Sequence, residues 1–147
     1  MADSGTDSYP AAHVQACRDE IAGQIKAYRD LVGAASKASG MSLTRIDAAL
    51  AAFEPAFFNN LLIALDARFV HRPRGVEGSV GNPLDEVRLL AASLMDNGGA
   101  LSRDEAGAYQ PENSVLKIDI GERIALNADD FEALCDAFLA EIERSSA

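Results

Sequence analysis

The middle of the chain, residues 53–72, holds the longest apolar run of the sequence and constrains the fold more than any other stretch. Four of the six phenylalanines lie inside it. Its large apolar side chains recur at every fourth position, on one face of an α-helix: Phe57, Leu61, Leu65 and Phe69. Phe58 and Leu62 widen this face, and a helix that is apolar over most of its circumference is a buried one. The sequence therefore predicts a central, buried helix from about Pro55 to His71.

Two further helices are predicted before this core helix. Between residues 11 and 39, apolar side chains recur at steps of three and four, and Gly40 is a natural stop. The stripe consists of Val14, Cys17, Ile21, Ile25, Tyr28, Leu31 or Val32, and Ala35. A short helix follows, capped by Ser42 or Thr44. Because proline disfavours helix at the residue before it, Pro55 predicts a break or a kink between the short helix and the core helix.

After the core helix, the sequence predicts two more helices, each with an asparagine cap. Asn82 precedes Pro83, a strong helix start, and Asn97-Gly98-Gly99 ends that helix. Asn127 caps the last helix, and acidic residues in both first turns suit the positive end of the helix dipole. Residues 98–113 are polar and irregular, and they are predicted to form a mobile loop.

A β-hairpin is predicted directly before the last helix. Apolar and charged side chains alternate from Leu116 to Ile120, which is the period of a half-buried strand. Gly121 and Glu122 follow as a tight turn before residues 123–126. The fold class is therefore mainly α with a minor β part. We expect a helical bundle around a central buried helix, with one β-hairpin before the C-terminal helix.

The length of 147 residues is that of one domain, so residues 1–10 are predicted to be a disordered tail and residues 11–147 a single helical domain. The N-terminus does not look like a secretory signal, and no apolar run approaches the ~18 residues of a membrane helix. A cytoplasmic location is therefore expected. Cys17 and Cys135 each fall on an apolar helical position, which favours buried free thiols over a disulfide.

The net charge of the chain is -10, from 23 acidic and 13 basic residues. A surface this acidic repels phosphate backbones and anionic lipid heads, so neither nucleic acid nor a membrane is expected as a partner. A winged-helix DNA-binding protein would fit the helices and the hairpin. The acidic charge and the lack of a basic recognition helix disfavour that class.

Familiar catalytic motifs are missing from the sequence. The chain has two histidines, His13 and His71, and no Cys-x-x-Cys, His-Glu-x-x-His, paired Glu-x-x-His or nucleophile-elbow pattern. Its glycines match neither a P-loop nor a dinucleotide fingerprint. No metal and no cofactor is therefore predicted, and an enzymatic activity is not favoured.

The best candidate site lies where the core helix ends. Arg68, His71, Arg72 and Arg74 bring cationic groups together in an otherwise acidic chain. Three glycines follow, at positions 75, 78 and 81, and precede a helix N-terminus. Guanidinium groups and free backbone amides together bind a phosphate or a carboxylate. The alternative is that the arginines pair with nearby carboxylates of the chain: Asp66, Glu77, Asp85 and Glu86.

A second candidate is the set of polar side chains on the core helix itself. Asn59 and Asp66 are separated by about two turns and share a face of the helix. They could line a pocket in which His71 acts as acid or base. The alternative is structural, because a buried polar side chain must be hydrogen-bonded and often ties down a neighbouring loop.

These observations favour a small cytoplasmic, non-catalytic interaction protein that acts as a homodimer through its first helix or the edge of its hairpin. The alternative is a binding protein or enzyme for a small anionic substrate, using the cationic end of the core helix with Asn59 and Asp66. The winged-helix DNA binder is the third reading.

Overall fold

The computed structural model of the protein describes residues 9–37, 42–72, 82–103 and 109–146. These contain four α-helices: α1 (Ala11–Ser36), α2 (Ser42–Arg68), α3 (Pro83–Asp96) and α4 (Ala128–Ser146). A single 3-10 turn, Pro111–Asn113, lies between α3 and α4. The helices pack together, so the prediction of a mainly helical protein is confirmed.

The first part of α2 was predicted to be a separate short helix, and this is wrong. Pro55 lies inside one continuous helix of 27 residues. A proline in a helix removes one hydrogen bond, here the bond to the carbonyl of Ala51. Ala51 is exposed to solvent, so water can replace the missing donor.

Two helices, rather than one, form the centre of the bundle. Both α2 and α4 contact all three other helices, whereas α1 and α3 do not touch each other within the described residues. The inner stripe of α2 is fully buried: Phe58, Leu62, Leu65 and Phe69. It faces an equally apolar stripe of α4: Phe131, Leu134, Phe138, Leu139 and Ile142. The single central helix expected from the sequence is thus a central pair.

The burial of α2 is narrower than its sequence suggests. Phe57 and Leu61, which belong to the predicted ladder, are only partly buried. The opposite side of the helix is exposed and consists largely of small residues: Ala49, Ala52, Ala56, Asn60, Ala64 and Ala67. Alanine loses little by facing water, so a run that is apolar by composition does not need to be buried all round.

No β-hairpin and no strand forms in the described residues, so that prediction is wrong. The turn at Gly121 does form, with a φ of 88° and a hydrogen bond from Glu122 N to Asp119 O of 3.0 Å. The chain after the turn pairs with the residues that follow α3 instead of with residues 114–120. Leu101 N donates to Glu122 O at 2.9 Å, and one isolated antiparallel bridge joins Ala100 to Arg123.

The asparagine caps are confirmed at the helices that follow α2. The side chain of Asn82 accepts a hydrogen bond from Leu84 N at 2.7 Å, and that of Asn127 accepts one from Asp130 N at 2.7 Å. The predicted stop at Gly40 and residues 1–8 of the predicted tail, which was expected to span residues 1–10, lie outside the described residues.

One described helix is long and apolar enough to cross a membrane by length and composition alone, contrary to the expectation from the sequence. It is Arg45–Arg68, with a mean hydropathy of 1.5. This is a weak indication, since the core helix of a soluble protein can pass the same test. In the bundle, its inner stripe packs against the other helices.

Candidate functional site

The cationic residues at the end of α2 turn in different directions. Arg72 turns inward, and its side chain is only 1% exposed. Its guanidinium makes an ion pair with Asp66 at 2.7 Å and lies 4.9 Å from the ring centre of Phe138. It also donates to the backbone carbonyl of Leu84 through two nitrogens, at 2.9 and 3.2 Å. The side chain therefore fastens the end of α2 to the first turn of α3.

All the hydrogen-bonding capacity of Arg72 is used inside the protein. A guanidinium has five N–H donors, and five hydrogen bonds reach the oxygens of Asp66, Phe69 and Leu84. The alternative predicted for the arginines, pairing with local carboxylates, is thus confirmed for Arg72 and Asp66. Arg72 has no donor left for an external anion in this arrangement.

The other members of the predicted cluster lie apart from Arg72. Arg68 pairs with Glu20 of α1 at 2.6 Å. His71 is exposed, and its backbone N–H donates to the hydroxyl of Tyr9 at 2.9 Å. Arg74 and the glycines at positions 75, 78 and 81 lie outside the described residues. An anion site built from Arg68, His71 and Arg74 stays a prediction.

Asn59 holds the segment that leads into α4. Its amide nitrogen donates to Ile124 O at 3.0 Å, and its amide oxygen accepts from Leu126 N at 3.2 Å. Both bonds join residues that are far apart in sequence. Asn59 and Asp66 do share a face of α2, as predicted, but each binds a different neighbour. The structural alternative therefore describes both residues, and the imidazole of His71 is not brought to them by any described contact.

Glu86 is a buried carboxylate that the sequence analysis did not single out. It is 3% exposed, and its two oxygens accept from Val115 N at 2.9 Å and from Leu116 N at 3.1 Å. Burial raises the pKa of Glu86, against the opposing effect of the two backbone hydrogen bonds and the charge of Lys117. One feature of the sequence indicates that Glu86 is buried: it lies one turn before Leu90, on the apolar side of α3. The residue holds the loop before α4 in place.

The two cysteines are free and buried. This agrees with the prediction of free thiols. Cys135 borders a small cavity of about 50 Å³ between α1 and α4. Burial raises its pKa to about 12, so the thiolate that nucleophilic chemistry requires is scarce at neutral pH.

No group of three or more His, Cys, Asp or Glu side chains that could hold a metal ion occurs in the part of the chain that the structure describes.

The last residues of α1 and the first described residues of α2 are less buried than the rest of these helices. We call residues 29–37 and 45–53 the arm. In the described part of α1, no residue after Tyr28 is buried, and in that of α2, no residue before Phe58 is buried. The reason is that α4 begins only at Ala128, beside Arg29 and Glu54. Farther along the arm, from Arg29 towards Lys37 and from Phe53 towards Arg45, no described contact with α4 covers the arm.

The arm exposes large apolar side chains. Leu31 is 51% exposed and Phe53 is 44% exposed. Val32 and Leu50 are partly buried. Val32 continues the stripe that is buried at Ile25 and Tyr28, so the apolar face of α1 extends beyond the helix that covers it. Leu31 and Phe53 are therefore the large apolar side chains that the arm leaves exposed.

A cleft of about 360 Å³ opens at the base of the arm. Its lining includes Tyr28, Arg29, Val32, Glu54, Asn127 and Asp129. The carboxylate of Glu54 accepts from Ala128 N at 3.0 Å, and Arg29 pairs with Asp129 at 2.8 Å. Arg29 also pairs with Glu132 at 2.9 Å. The base of the arm is therefore acidic, with three carboxylates around one guanidinium.

No family model, no curated protein and no solved structure matches this chain. What the molecule does must be inferred from its own surfaces.

Proposed function

We propose that this protein is a small, non-catalytic interaction protein that acts as a homodimer, and that the arm is its interface. The observation that carries the proposal is the exposure of Leu31 and Phe53 on a helix pair that extends past the start of α4. The other interface considered from the sequence was the edge of a β-hairpin. The described residues contain no such edge.

The energetics of apolar surface support this choice. Burying a Leu or Phe side chain completely contributes about 1.5–3 kcal/mol. Two packed helices bury only one stripe each, and their remaining apolar face needs another layer of structure. In the body of the bundle, α4 is that layer for α1 and α2. At the arm, the layer would come from a partner.

The charge pattern also favours the arm over the rest of the surface. A chain with a net charge of -10 repels a second copy of itself through most of its surface. The arm carries three basic residues, Arg29, Lys37 and Arg45, and two acidic ones, Asp30 and Asp47. It is therefore a region where two copies meet less like-charge repulsion than over the acidic remainder of the surface.

No described contact favours an anion-binding or DNA-binding function over this one. Arg72, the central member of the predicted anion site, is fully engaged inside the protein. The hairpin on which a winged-helix reading depended is replaced by the pairing of residues 99–101 with residues 121–124.

The test is the mass of the protein in solution, measured by light scattering or sedimentation over a concentration series. We expect the native chain to be dimeric and Leu31→Glu to be monomeric, because a carboxylate in the apolar middle of the interface would lose its water. Met95→Glu is the matched control, since Met95 is 65% exposed on α3 and the charge change is the same. A native chain that stays monomeric, or equal loss of the dimer in both variants, would contradict the proposal.

A further inference from the structure

We infer that two arms pack antiparallel, so that the tip of each arm meets the acidic base of the other. This inference rests on the proposed dimer and specifies its geometry. It makes the interface isologous: the same surface is used twice, around a twofold axis. The partner of the arm is then a second copy of this chain.

The first argument is the separation of charge along the arm. The tip carries Lys37 and Arg45 with one acid, Asp47. Within the described residues, neither Lys37 nor Arg45 forms an ion pair. At the base, Arg29 lies among three carboxylates, those of Glu54, Asp129 and Glu132. The tip therefore has an excess of one positive charge, and the base has an excess of two negative charges.

This separation selects the antiparallel arrangement. Two arms packed in parallel would place basic tip against basic tip and acidic base against acidic base. Like charges in contact cost free energy, whereas complementary charges fix the register of an interface. In the antiparallel arrangement, each basic tip lies against an acidic base, and this happens twice because of the twofold axis.

The length of the arm also fits the antiparallel arrangement. Each helix of the arm has nine residues, which span about 13 Å at a rise of 1.5 Å per residue. When two arms of equal length lie side by side in opposite directions, the tip of one falls level with the base of the other. A long cationic side chain such as that of Arg45 can then enter the cleft of about 360 Å³ at the base.

The third argument is the position of the apolar residues. Leu31, Val32 and Leu50 lie between the charged tip and the charged base. In the antiparallel arrangement, these residues meet their own counterparts near the twofold axis. Two helix pairs packed in this way make a four-helix arrangement with an apolar middle and charged ends.

The experiment uses two charge-reversed variants of the full chain. The tip variant carries Lys37→Glu and Arg45→Glu, and the base variant carries Asp129→Lys and Glu132→Lys. Each variant alone should dimerise at least about tenfold more weakly than the native chain, because its tips and bases have the same sign. An equimolar mixture should recover a heterodimer within about threefold of the native affinity, since both tip-to-base contacts are then between opposite charges.

A matched control reverses two basic residues away from the arm, Arg103→Glu and Arg144→Glu. Both are exposed, and Arg144 pairs with Glu141 of its own helix. This control has the same charge change as the tip variant and should keep a near-native dimer. Circular dichroism and thermal melting show whether each variant is folded. If a double variant does not fold, the single changes Arg45→Glu and Asp129→Lys replace it.

The outcomes separate the inference from the proposal on which it rests. Weakening of both variants alone, followed by recovery in the mixture, supports the tip-to-base geometry, because in a parallel dimer the base variant would keep its native affinity. A native dimer that neither reversal weakens overturns the geometry and leaves the proposed homodimer standing, as does a mixture that fails to recover. A native chain that is monomeric overturns both.

Discussion

The guanidinium of Arg72 and the carboxylate of Asp66 are 2.7 Å apart, yet their exposures differ widely, at 1% for Arg72 and 29% for Asp66. The cation is thus buried while its anion stays in contact with solvent. The buried charge is also compensated by backbone carbonyls of Leu84 and Phe69 and by the ring of Phe138. Arg72 joins three helices in this way: α2, α3 and α4.

Removing the guanidinium should destabilise the fold strongly. In Arg72→Met, the apolar volume is largely kept, but the carbonyl of Leu84 loses its donors and Asp66 loses its cation. A buried acceptor left without its donor costs about 1–3 kcal/mol, and we expect the free energy of unfolding to fall by at least that amount. Urea denaturation measures it. Arg144→Met, which removes an exposed pair with Glu141, should leave the midpoint unchanged. Equal midpoints for both variants would show that Arg72 is not a structural anchor.

Glu86 should make the stability of the protein depend on pH. Burial raises the pKa of Glu86 in the folded state above its ordinary value. The folded chain therefore binds this proton more tightly than the unfolded chain. The stability that this tighter proton binding contributes is present in full below the pKa of Glu86 in the unfolded chain. It is lost as the pH rises through the pKa of Glu86 in the folded protein.

The comparison that isolates this contribution is Glu86→Gln, whose side chain stays neutral. The native chain should lose stability relative to Glu86→Gln as the pH rises from about 4 towards neutrality. Chemical denaturation at a series of pH values measures the difference. Glu112→Gln is the control, since Glu112 is exposed, and its profile should run parallel to that of the native chain. A Glu86→Gln profile that also runs parallel would contradict the assigned pKa direction.

Removing the side-chain amide of Asn59, or replacing it with a carboxylate, should destabilise the fold. In Asn59→Asp, the group that donates to Ile124 O becomes an acceptor, and two oxygens face each other. A buried acceptor left without its donor costs about 1–3 kcal/mol, so the free energy of unfolding should fall by that amount. Asn60→Asp makes the same chemical change on the exposed side of α2 and should have little effect. If the two variants melt at the same temperature, the link from α2 to residues 124–126 is not stabilising.

The buried thiols should be protected from alkylation in the folded protein. With a pKa of about 12, Cys135 has very little thiolate near pH 8. Labelling with a maleimide or a disulfide reagent should therefore require opening of the fold and be far slower than labelling of an exposed thiol. Ser145→Cys adds an exposed thiol to α4 and provides the reference, because it should react at once. Rapid labelling of Cys135 in the native chain would show that α1 and α4 separate readily.

The parts of the fold that were predicted correctly depend on residues close together in sequence. The caps of α3 and α4 are examples, because Asn82 and Asn127 bind amides within three residues of themselves. The stripe of α1 is another as far as Tyr28, since Val14, Cys17, Ile21, Ile25 and Tyr28 are all buried. Its predicted continuation, Leu31 or Val32 and Ala35, is not buried. Helical periodicity and capping chemistry are local, and the sequence displays them directly.

The errors come from partners that are distant in sequence. Residues 114–120 alternate as a strand would, but two of their amides bind Glu86 of α3, and the chain after Gly121 pairs with Leu101. Neither partner can be identified from the alternation itself. The pairing of Arg72 with Asp66 could be predicted because the two residues are only 6 positions apart in sequence. The arm could not be predicted from the sequence, because its extent depends on where along α1 and α2 the first turn of α4 packs.

The packing of α1 against α4 also constrains how the chain can fold. These helices come first and last among the four, and ion pairs such as Arg18–Glu143 and Arg29–Asp129 join them at either end. Contacts between residues so far apart slow folding, since a long stretch of chain must be ordered before they form. During synthesis, α1 and α2 emerge from the ribosome with their inner stripes uncovered until α4 has been made. The nascent chain therefore passes through a stage in which α1 and α2 lack α4, the helix that covers their apolar stripes in the folded protein.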